Sequence, residues 1–307
     1  MNKHDKIWVT GHRGLVGSAI VRELKKEGYS NILTVGRKEC DLTQATHVRY
    51  WFSVWEPDYV IHCAAKVGGI GAHMNFPVEF IQENLAINSN VIGYAHQYKT
   101  KKLLFLGSAC AYPKHAHNPL VATALLSGPL EPSNKGYALS KIIGHTLCDA
   151  YRLEYGDHFI SAIPTNVFGP GDNYDLHNSH VLPAMLRKIH DARKEPKLKL
   201  WGTGKPIREF IYSDDLARAC IFLMNNYDRS EPVNIGSGSI VRLSDLAEQI
   251  ALMVGFKGEF EWNHSMPDGT PERWLDNSVL FNLGWRPEVA LPEGLRMTYS
   301  DFCSRIL

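Results

Sequence analysis

Ser108 and Cys110 follow directly on an apolar run, LLFLG, and Tyr137 and Lys141 stand four apart at the start of a helical pattern. Side chains at i and i+4 share one face of a helix, so the phenol and the amine point the same way. An ammonium beside a phenol favours the phenolate and draws the tyrosine pKa down towards the working pH, as a general acid or base requires. Ser108 offers a second hydroxyl to the same oxygen. Such a group can hold the oxygen of a C–OH/C=O pair while hydride is exchanged at its carbon.

The elements that must position these residues are legible from the N-terminus. Lys6–Thr10 is a β-prone run, GHRGLVG follows with glycines at 11, 14 and 17, and SAIVRELKKEG forms an amphipathic helix closing on Gly28. Asn31–Val35 restarts a strand, completing a βαβ unit of about thirty residues. In such a unit Gly11 permits the tight turn, Gly14 lets the backbone approach a pyrophosphate, and Gly17 lets helix and sheet pack closely. The helix start then offers free N–H groups to the anion. The strand runs out into Val35-Gly36-Arg37-Lys38. A basic side chain here suits the 2′-phosphate of NADP, with Glu39 close by as the feature that would suit NAD. NADP(H) is the expected cofactor.

Alternation continues with a strand at Tyr59–Cys63, a glycine-rich loop AAKVGGIGAH over the cofactor, and a long helix at Phe76–Tyr98. A strand at Lys102–Gly107, a helix at Tyr137–Tyr155 and a strand at Ile160–Pro164 follow. This order predicts an α/β fold with a Rossmann-type, doubly wound parallel sheet that binds ligands at the carboxyl ends of its strands. Ser108 and Cys110 fall just past such an end.

After about Asn166 the texture changes. VFGPGDNYDLHNSH is a long Gly/Pro/Asn/His loop of the kind that carries function. Helices are predicted at Val181–Arg193, at Asp214–Met224 with Ser213 or Asp214 as N-cap, and at Ser244–Val254, with strands at Leu198–Trp201 and Pro232–Ile235. Residues 1–166 are expected to form the cofactor-binding domain, with segments around 205–240 returning to it. Residues 167–307 would be mainly a smaller α/β substrate lobe. His177 and His190 read as surface residues.

A net charge of +1 gives no broad field for nucleic acid or an anionic membrane. The six cysteines are scattered, with no CxxC pair. They predict neither a metal site nor a disulfide framework, and they suit a reducing compartment. No window approaches the ~20 apolar residues of a membrane span, and the opening residues lack a secretory pattern. A cytoplasmic protein is expected.

Together GHRGLVGSAI, AAKVGGI, LLFLGSACAYP, the Tyr137/Lys141 pair, PTNVFGPGDN, NSHVLPA, WGTGKPIREF and PDGTP resemble the GDP-L-fucose synthase family of the extended short-chain dehydrogenase/reductases, from Lys6 to Phe302. The resemblance implies NADPH-dependent 3,5-epimerisation and 4-reduction of GDP-4-keto-6-deoxy-D-mannose. It makes Ser108, Tyr137 and Lys141 the reductive triad, and Cys110 with His180 the acid/base pair for C3 and C5. Cofactor contacts would come from Gly11, His12, Arg13, Gly14, Leu15, Val16 and Gly17 at the first turn, and from Arg37, Asp41 and Leu42 on the adenine side. Leu106, Gly107, Ser108, Tyr137 and Lys141 would contribute at the reacting end, with Pro164, Thr165, Asn166, Val167 and His180. Lys188, Trp201, Arg208 and Asp268 would hold the GDP-sugar, and a homodimer would form through the helices at 76–98 and 137–155.

The sequence departs from the family's pattern at several points. Ala109 replaces a second serine, Ala111 a bulky aliphatic, Asn134-Lys135-Gly136 an acidic residue and proline, Glu272 a basic residue, and Lys188 an arginine. Ala111 and Gly136 are expected to make room for a larger or differently substituted sugar. That keeps open a related activity on a GDP-4-keto-deoxy sugar of the 6-deoxyheptose or colitose kind, with or without epimerisation. A non-catalytic NADP sensor is the remaining alternative, and the intact triad stands against it.

Overall fold

The structure, a computed structural model, describes residues 1–176 and 178–306; the expectation for His177 lies outside them. The first half runs β1 (Ile7–Thr10), α1 (Leu15–Lys26), β2 (Ile32–Leu33), α2 (Ala45–Trp55), β3 (Tyr59–His62), α3 (Ile70–Asn75), α4 (Pro77–Gln97), β4 (Lys102–Leu106), α5 (Lys135–Tyr155) and β5 (Phe159–Pro164). The second runs β6 (Asn166–Phe168), α6 (Val181–Asp191), β7 (Lys197–Trp201), β8 (Ile207–Tyr212), α7 (Ser213–Asn226), β9 (Val233–Ile235), β10 (Ile240–Arg242) and α8 (Leu243–Val254). β11 (Glu259–Asn263), β12 (Glu272–Arg273), α9 (Ser278–Asn282) and α10 (Leu291–Ile306) complete it.

Side chains alternate across a strand, and in β1 every one of them is buried, Trp8 included. Both faces of the sheet must therefore be covered. Six strands pair in parallel in the order β2-β1-β3-β4-β5-β9. Ile7, Val9, Leu104 and Leu106 face Ile20 and Leu24 of α1 and Leu216 and Cys220 of α7. Trp8, Leu103 and Phe105 face Val48 and Phe52 of α2, Val91 and Ile92 of α4, and Cys148 of α5. Each such large apolar side chain contributes about 1.5–3 kcal/mol on full burial. Gly144 lets α5 lie flat on β4, because a Cβ there would fall on the Phe105 ring. That close approach sets the start of α5 beside the end of β4, where the chemistry-bearing residues are.

A second sheet is built on β8, which pairs with β10 antiparallel and with β12 and β6 in parallel. Phe168, Phe210 and Tyr212 of this sheet pack against Leu182 and Leu186 of α6, Leu246 and Ile250 of α8, and Leu295 and Phe302 of α10. β7 and β11 form a small parallel pair.

Several elements differ from the sequence reading. That reading places nothing between Val35 and Tyr59, where α2 lies; its exposed Tyr50 and Val54 blur the apolar face formed by Val48 and Phe52. The glycine-rich stretch contains α3, and the strand expected at 31–35 shrinks to Ile32–Leu33. Asn166–Phe168, expected as the start of a loop, pairs with β8. Tyr212, without a side-chain capping bond, caps α7 rather than Ser213 or Asp214. Asp214 instead pairs with Arg22, and the buried Asp215 accepts the amides of Glu288 and Val289 at 3.1 and 3.0 Å. His190 is buried, with Nδ1 2.9 Å from the Tyr299 hydroxyl, and is not a surface residue. Among the described residues no helix is long and apolar enough to cross a membrane.

Candidate active site

Past the end of β4 the chain makes a short 3-10 turn at Ala109–Ala111, and the Ser108 hydroxyl caps it by accepting the Cys110 amide at 3.3 Å. This turn packs Cys110 against Ala72, Phe80 and Tyr137. Tyr137 and Lys141, on the first two turns of α5, are both buried. Ser108 hydrogen-bonds the Tyr137 side chain. The Lys141 ammonium donates to the Leu106 carbonyl at 2.8 Å and lies 5.8 Å from the Tyr137 ring centre. Four of the five expected catalytic residues thus meet at one strand end.

The electrostatics differ from the sequence expectation. Burial pushes the Tyr137 phenol above its ordinary range, the neighbouring Cys110 adds to this, and the Ser108 bond only partly opposes it. Lys141 does not lower it as expected, because the ammonium is directed at the Leu106 carbonyl instead of the phenol oxygen. Burial brings Lys141 itself down to about 8. Tyr137 therefore holds its proton at neutral pH, which is the form a proton donor to a ketone oxygen needs at the outset.

His180 precedes α6 and makes no capping bond with its side chain. The residue is open to solvent, yet its surroundings desolvate the ring and lower its pKa. It joins the centre through His73, which feels the charge on His180 and whose ring centre lies 5.1 Å from that of Tyr137. The sequence reading missed His73. Its only local signal is a titratable residue among glycines and alanines, just before Asn75-Phe76-Pro77.

On the cofactor side, Gly11 has φ +72°, and a Cβ there would come 2.9 Å from the Ala64 backbone. A Cβ on Gly17 would fall on the Gly11 carbonyl. The start of α1, with Gly14 as cap and Leu15 and Val16 following, has neither a side-chain cap nor an acidic residue, so its N–H groups are free for an anion. His12, its pKa lowered by burial and by Arg13, and the exposed Arg13 flank this turn. Arg37 is exposed and ion-paired to Glu83 at 3.4 Å and to Asp41 at 3.8 Å. It borders a cavity of about 320 Å³ shared with Thr43 and Gln82. Leu42 packs on the α2/α4 side of the sheet, and its carbonyl accepts from Asn90. Leu106 and Gly107 lead into the site from β4. At the junction of β5 and β6, following Pro164, Thr165 and Asn166 donate to the Glu209 carbonyl at 3.1 and 2.8 Å, and Val167 packs on the core. These features fit a dinucleotide whose pyrophosphate sits on α1 and whose 2′-phosphate meets Arg37.

Arg37→Ser removes that cation. It is expected to raise KM for NADPH about tenfold or more, the loss of one charge-assisted bond of about 1.5–3 kcal/mol, and to leave KM for NADH near its starting value. Steady-state kinetics with both cofactors check this, and an unchanged KM for NADPH would remove Arg37 from the cofactor site.

Across the cleft, Arg208 on β8 donates to the Ile207, Pro271 and Asp268 carbonyls at 2.9, 3.3 and 3.5 Å. Burial and the nearby Arg273 lower its pKa to about 10, so it remains charged. The carboxylates nearest to it in sequence are engaged elsewhere: Asp214 by Arg22, and Glu209 by the Gly238 and Leu275 amides and the Asn277 side chain. Asp268 braces the turn after Trp201 by accepting the Thr203 amide at 2.8 Å and hydroxyl at 2.6 Å. Trp201, 42% exposed, donates from Nε1 to the Pro267 carbonyl at 2.7 Å. Lys188 stands in the last turn of α6 and makes no hydrogen bond or ion pair with these three among the described residues. Arg273 and Glu209 are further residues that motif spacing did not single out.

One of the two expected openings for the sugar is absent: Ala111 is fully buried. Gly136 lines the cavity beside Tyr137, and a Cβ there would come 3.3 Å from the Pro77 carbonyl and 3.4 Å from Ile81.

Comparison with known proteins agrees with this geometry. The model of the NAD dependent epimerase/dehydratase family matches residues 7–236. GDP-L-fucose synthase 1 of Arabidopsis thaliana is 48% identical over 99% of this chain and 95% of its own length. A GDP-6-OMe-4-keto-L-xylo-heptose reductase from C. jejuni superposes with a TM-score of 0.95 at 34% identity, covering 99% of both chains. A GDP-L-fucose synthetase from Naegleria fowleri bound to NADP has a TM-score of 0.91 at 30% identity, over 99% of this chain and 95% of that one.

Proposed function

The chain belongs to the NAD dependent epimerase/dehydratase family and, within it, to the GDP-L-fucose synthases, and from that premise we propose that it makes GDP-L-fucose from GDP-4-keto-6-deoxy-D-mannose. NADP(H) is its cofactor and a GDP-sugar its substrate. The observation that carries the reading is the meeting of Ser108, Tyr137 and Lys141 at the end of β4, with Cys110 packed on the Tyr137 side chain.

The C4 ketone acidifies the protons on both neighbouring carbons, and the Ser108 and Tyr137 hydroxyls stabilise the enolate oxygen that forms when one is removed. Cys110 and His180 are the proposed pair that removes a proton from one face and returns one to the other. His180, its pKa lowered, is neutral and able to accept. When bound, NADPH supplies hydride to C4, and Tyr137 supplies the proton to the oxygen. The half-buried charge of Arg208 suits the diphosphate, since a guanidinium meets two phosphate oxygens at once.

The second reading is reduction at C4 of a related GDP-4-keto sugar without epimerisation, favoured by the likeness to the C. jejuni heptose reductase. Turnover of GDP-4-keto-6-deoxymannose in D2O separates the two. Deuterium at C3 and C5 of the product is expected; a reduced product without it would leave a reductase only. We place the enzyme in the cytoplasm and infer a homodimer through α4 and α5, whose Val78, Ile143, Leu153 and Tyr155 are exposed.

A further inference from the structure

His73 closes α3 with its ring packed against Phe80, at 4.0 Å between ring centres, and against Tyr137, at 5.1 Å. It is 7% exposed, and its Nδ1 has no hydrogen-bond partner. A buried polar atom left unpaired is unfavourable and calls for a missing partner. Burial, followed by the charge on His180, brings its pKa down to about 4. At neutral pH the imidazole therefore has one N–H and one bare nitrogen. The Gly68 carbonyl takes the N–H, which leaves Nδ1 as an acceptor without a partner. Such an acceptor does not suit a phosphate; it suits a hydroxyl that donates to it.

The space in front of His73 is a cavity of about 680 Å³ that runs from Tyr137 past Phe80 and Ile70 to Gly269. Its far end lies beside Arg208, which is 3.9 Å from where a Gly269 Cβ would be. Its near end is Tyr137. A sugar whose C4 oxygen meets Tyr137 and whose diphosphate meets Arg208 spans this cavity. Glu131, also in the wall, is taken by Lys114 and Ser133, and the walls at Ile70, Met74, Pro77 and Phe80 are apolar. Ser133, Asn134 and Lys135 complete the wall at the start of α5, and His73 is the polar group whose ring packs on that of Tyr137 and which lies beside His180. In a 4-keto-6-deoxyhexose, C5 carries a methyl group. The hydroxyl adjacent to C4 is therefore the one on C3.

We propose that His73 is a specificity-determining residue that hydrogen-bonds the sugar's C3 hydroxyl, so that the site distinguishes 3-hydroxy from 3-deoxy GDP-4-keto sugars. The assignment rests on the proposed function, and it deepens it by naming which substituent is read. A site built to bond a hydroxyl discriminates strongly against the analogue that lacks it.

The test measures kcat/KM for GDP-4-keto-6-deoxymannose and for its 3-deoxy counterpart in the wild type, His73→Phe and His73→Asn, together with KM for NADPH. The wild type is expected to favour the 3-hydroxy sugar at least tenfold. His73→Phe, which keeps the ring but loses both nitrogens, should cut that ratio tenfold or more, and His73→Asn, which keeps a donor and an acceptor, should restore most of it. An equal fall with both sugars, or a ratio unmoved in His73→Phe and His73→Asn alike, overturns the proposal. Should the phenylalanine variant fail to bind NADPH, His73→Leu replaces it under the same criterion. A wild type that turns over neither sugar overturns the function instead, which keeps the two failures apart.

Discussion

Tyr137→Phe is expected to lower kcat for C4 reduction at least ~10²-fold, the usual loss when a positioned general acid is removed. The ring stays, so the contacts with Phe80 and His73 survive, while the proton and the Ser108 bond go. NADPH binding should remain within a few-fold of the wild type in a fluorescence titration, because the first turn of α1 and Arg37 are untouched. The pH profile of the wild type sharpens the assignment. With its phenol held above the ordinary range by burial, Tyr137 stays protonated throughout the neutral region. Lys141 loses its charge as the pH rises through about 8, but its ammonium is directed at the Leu106 carbonyl and not at the phenol, so kcat for reduction should hold level across that interval. NADPH oxidation at the wild-type rate by the phenylalanine variant would remove Tyr137 from the chemistry.

Most of what this prediction uses is legible in the sequence, and the missing part has a physical cause. The glycine spacing before α1 and the fully apolar β1 announce a buried parallel sheet, and the model of packing that follows is the one found. The i/i+4 spacing of Tyr137 and Lys141 also puts them together. What spacing does not contain is where the ammonium finds an acceptor. The Leu106 carbonyl is 35 residues away in the chain, and it, together with burial, reverses the expected direction of the phenol's shift. His73 was invisible for the same reason, since Phe80, Tyr137 and His180 meet it only in the fold. Ala111 shows the converse. Its small size is plain in the sequence, but the direction in which the missing side chain would point is not. α3 escapes because its stretch carries Gly68, Gly69 and Gly71, poor helix formers. Tertiary contacts hold it instead, among them the Gly69 amide on the Asn178 carbonyl at 3.1 Å.

Glu209→Ala is the substitution expected to cost the most stability. The carboxylate is fully buried. Oε1 accepts the Gly238 amide at 2.7 Å and the Asn277 side chain at 2.9 Å, and Oε2 accepts the Leu275 amide at 2.9 Å. Gly236 leaves it room, since a Cβ there would collide with the carboxylate. Three donors from two segments converge on one side chain, and truncation strands them all away from water. At about 1–3 kcal/mol for each buried group left unpaired, the loss is at least ~3 kcal/mol, or about 6 °C or more in Tm. Glu209→Gln retains one acceptor oxygen but turns an amide N–H towards donors, so it should fall between the alanine variant and the wild type in thermal melts. The consequence for activity follows from what the segments carry. β8 holds Arg208 next in sequence, and the segment reaching Leu275 begins at Asp268 and Gly269 beside it. At a temperature where the variant is still folded, KM for the GDP-sugar should therefore rise more than KM for NADPH. A melting temperature like that of the wild type would mean that water replaces the carboxylate without loss. A rise confined to NADPH would place the strain on the Thr165–Asn166 side, where the Glu209 carbonyl and not its carboxylate makes the bonds.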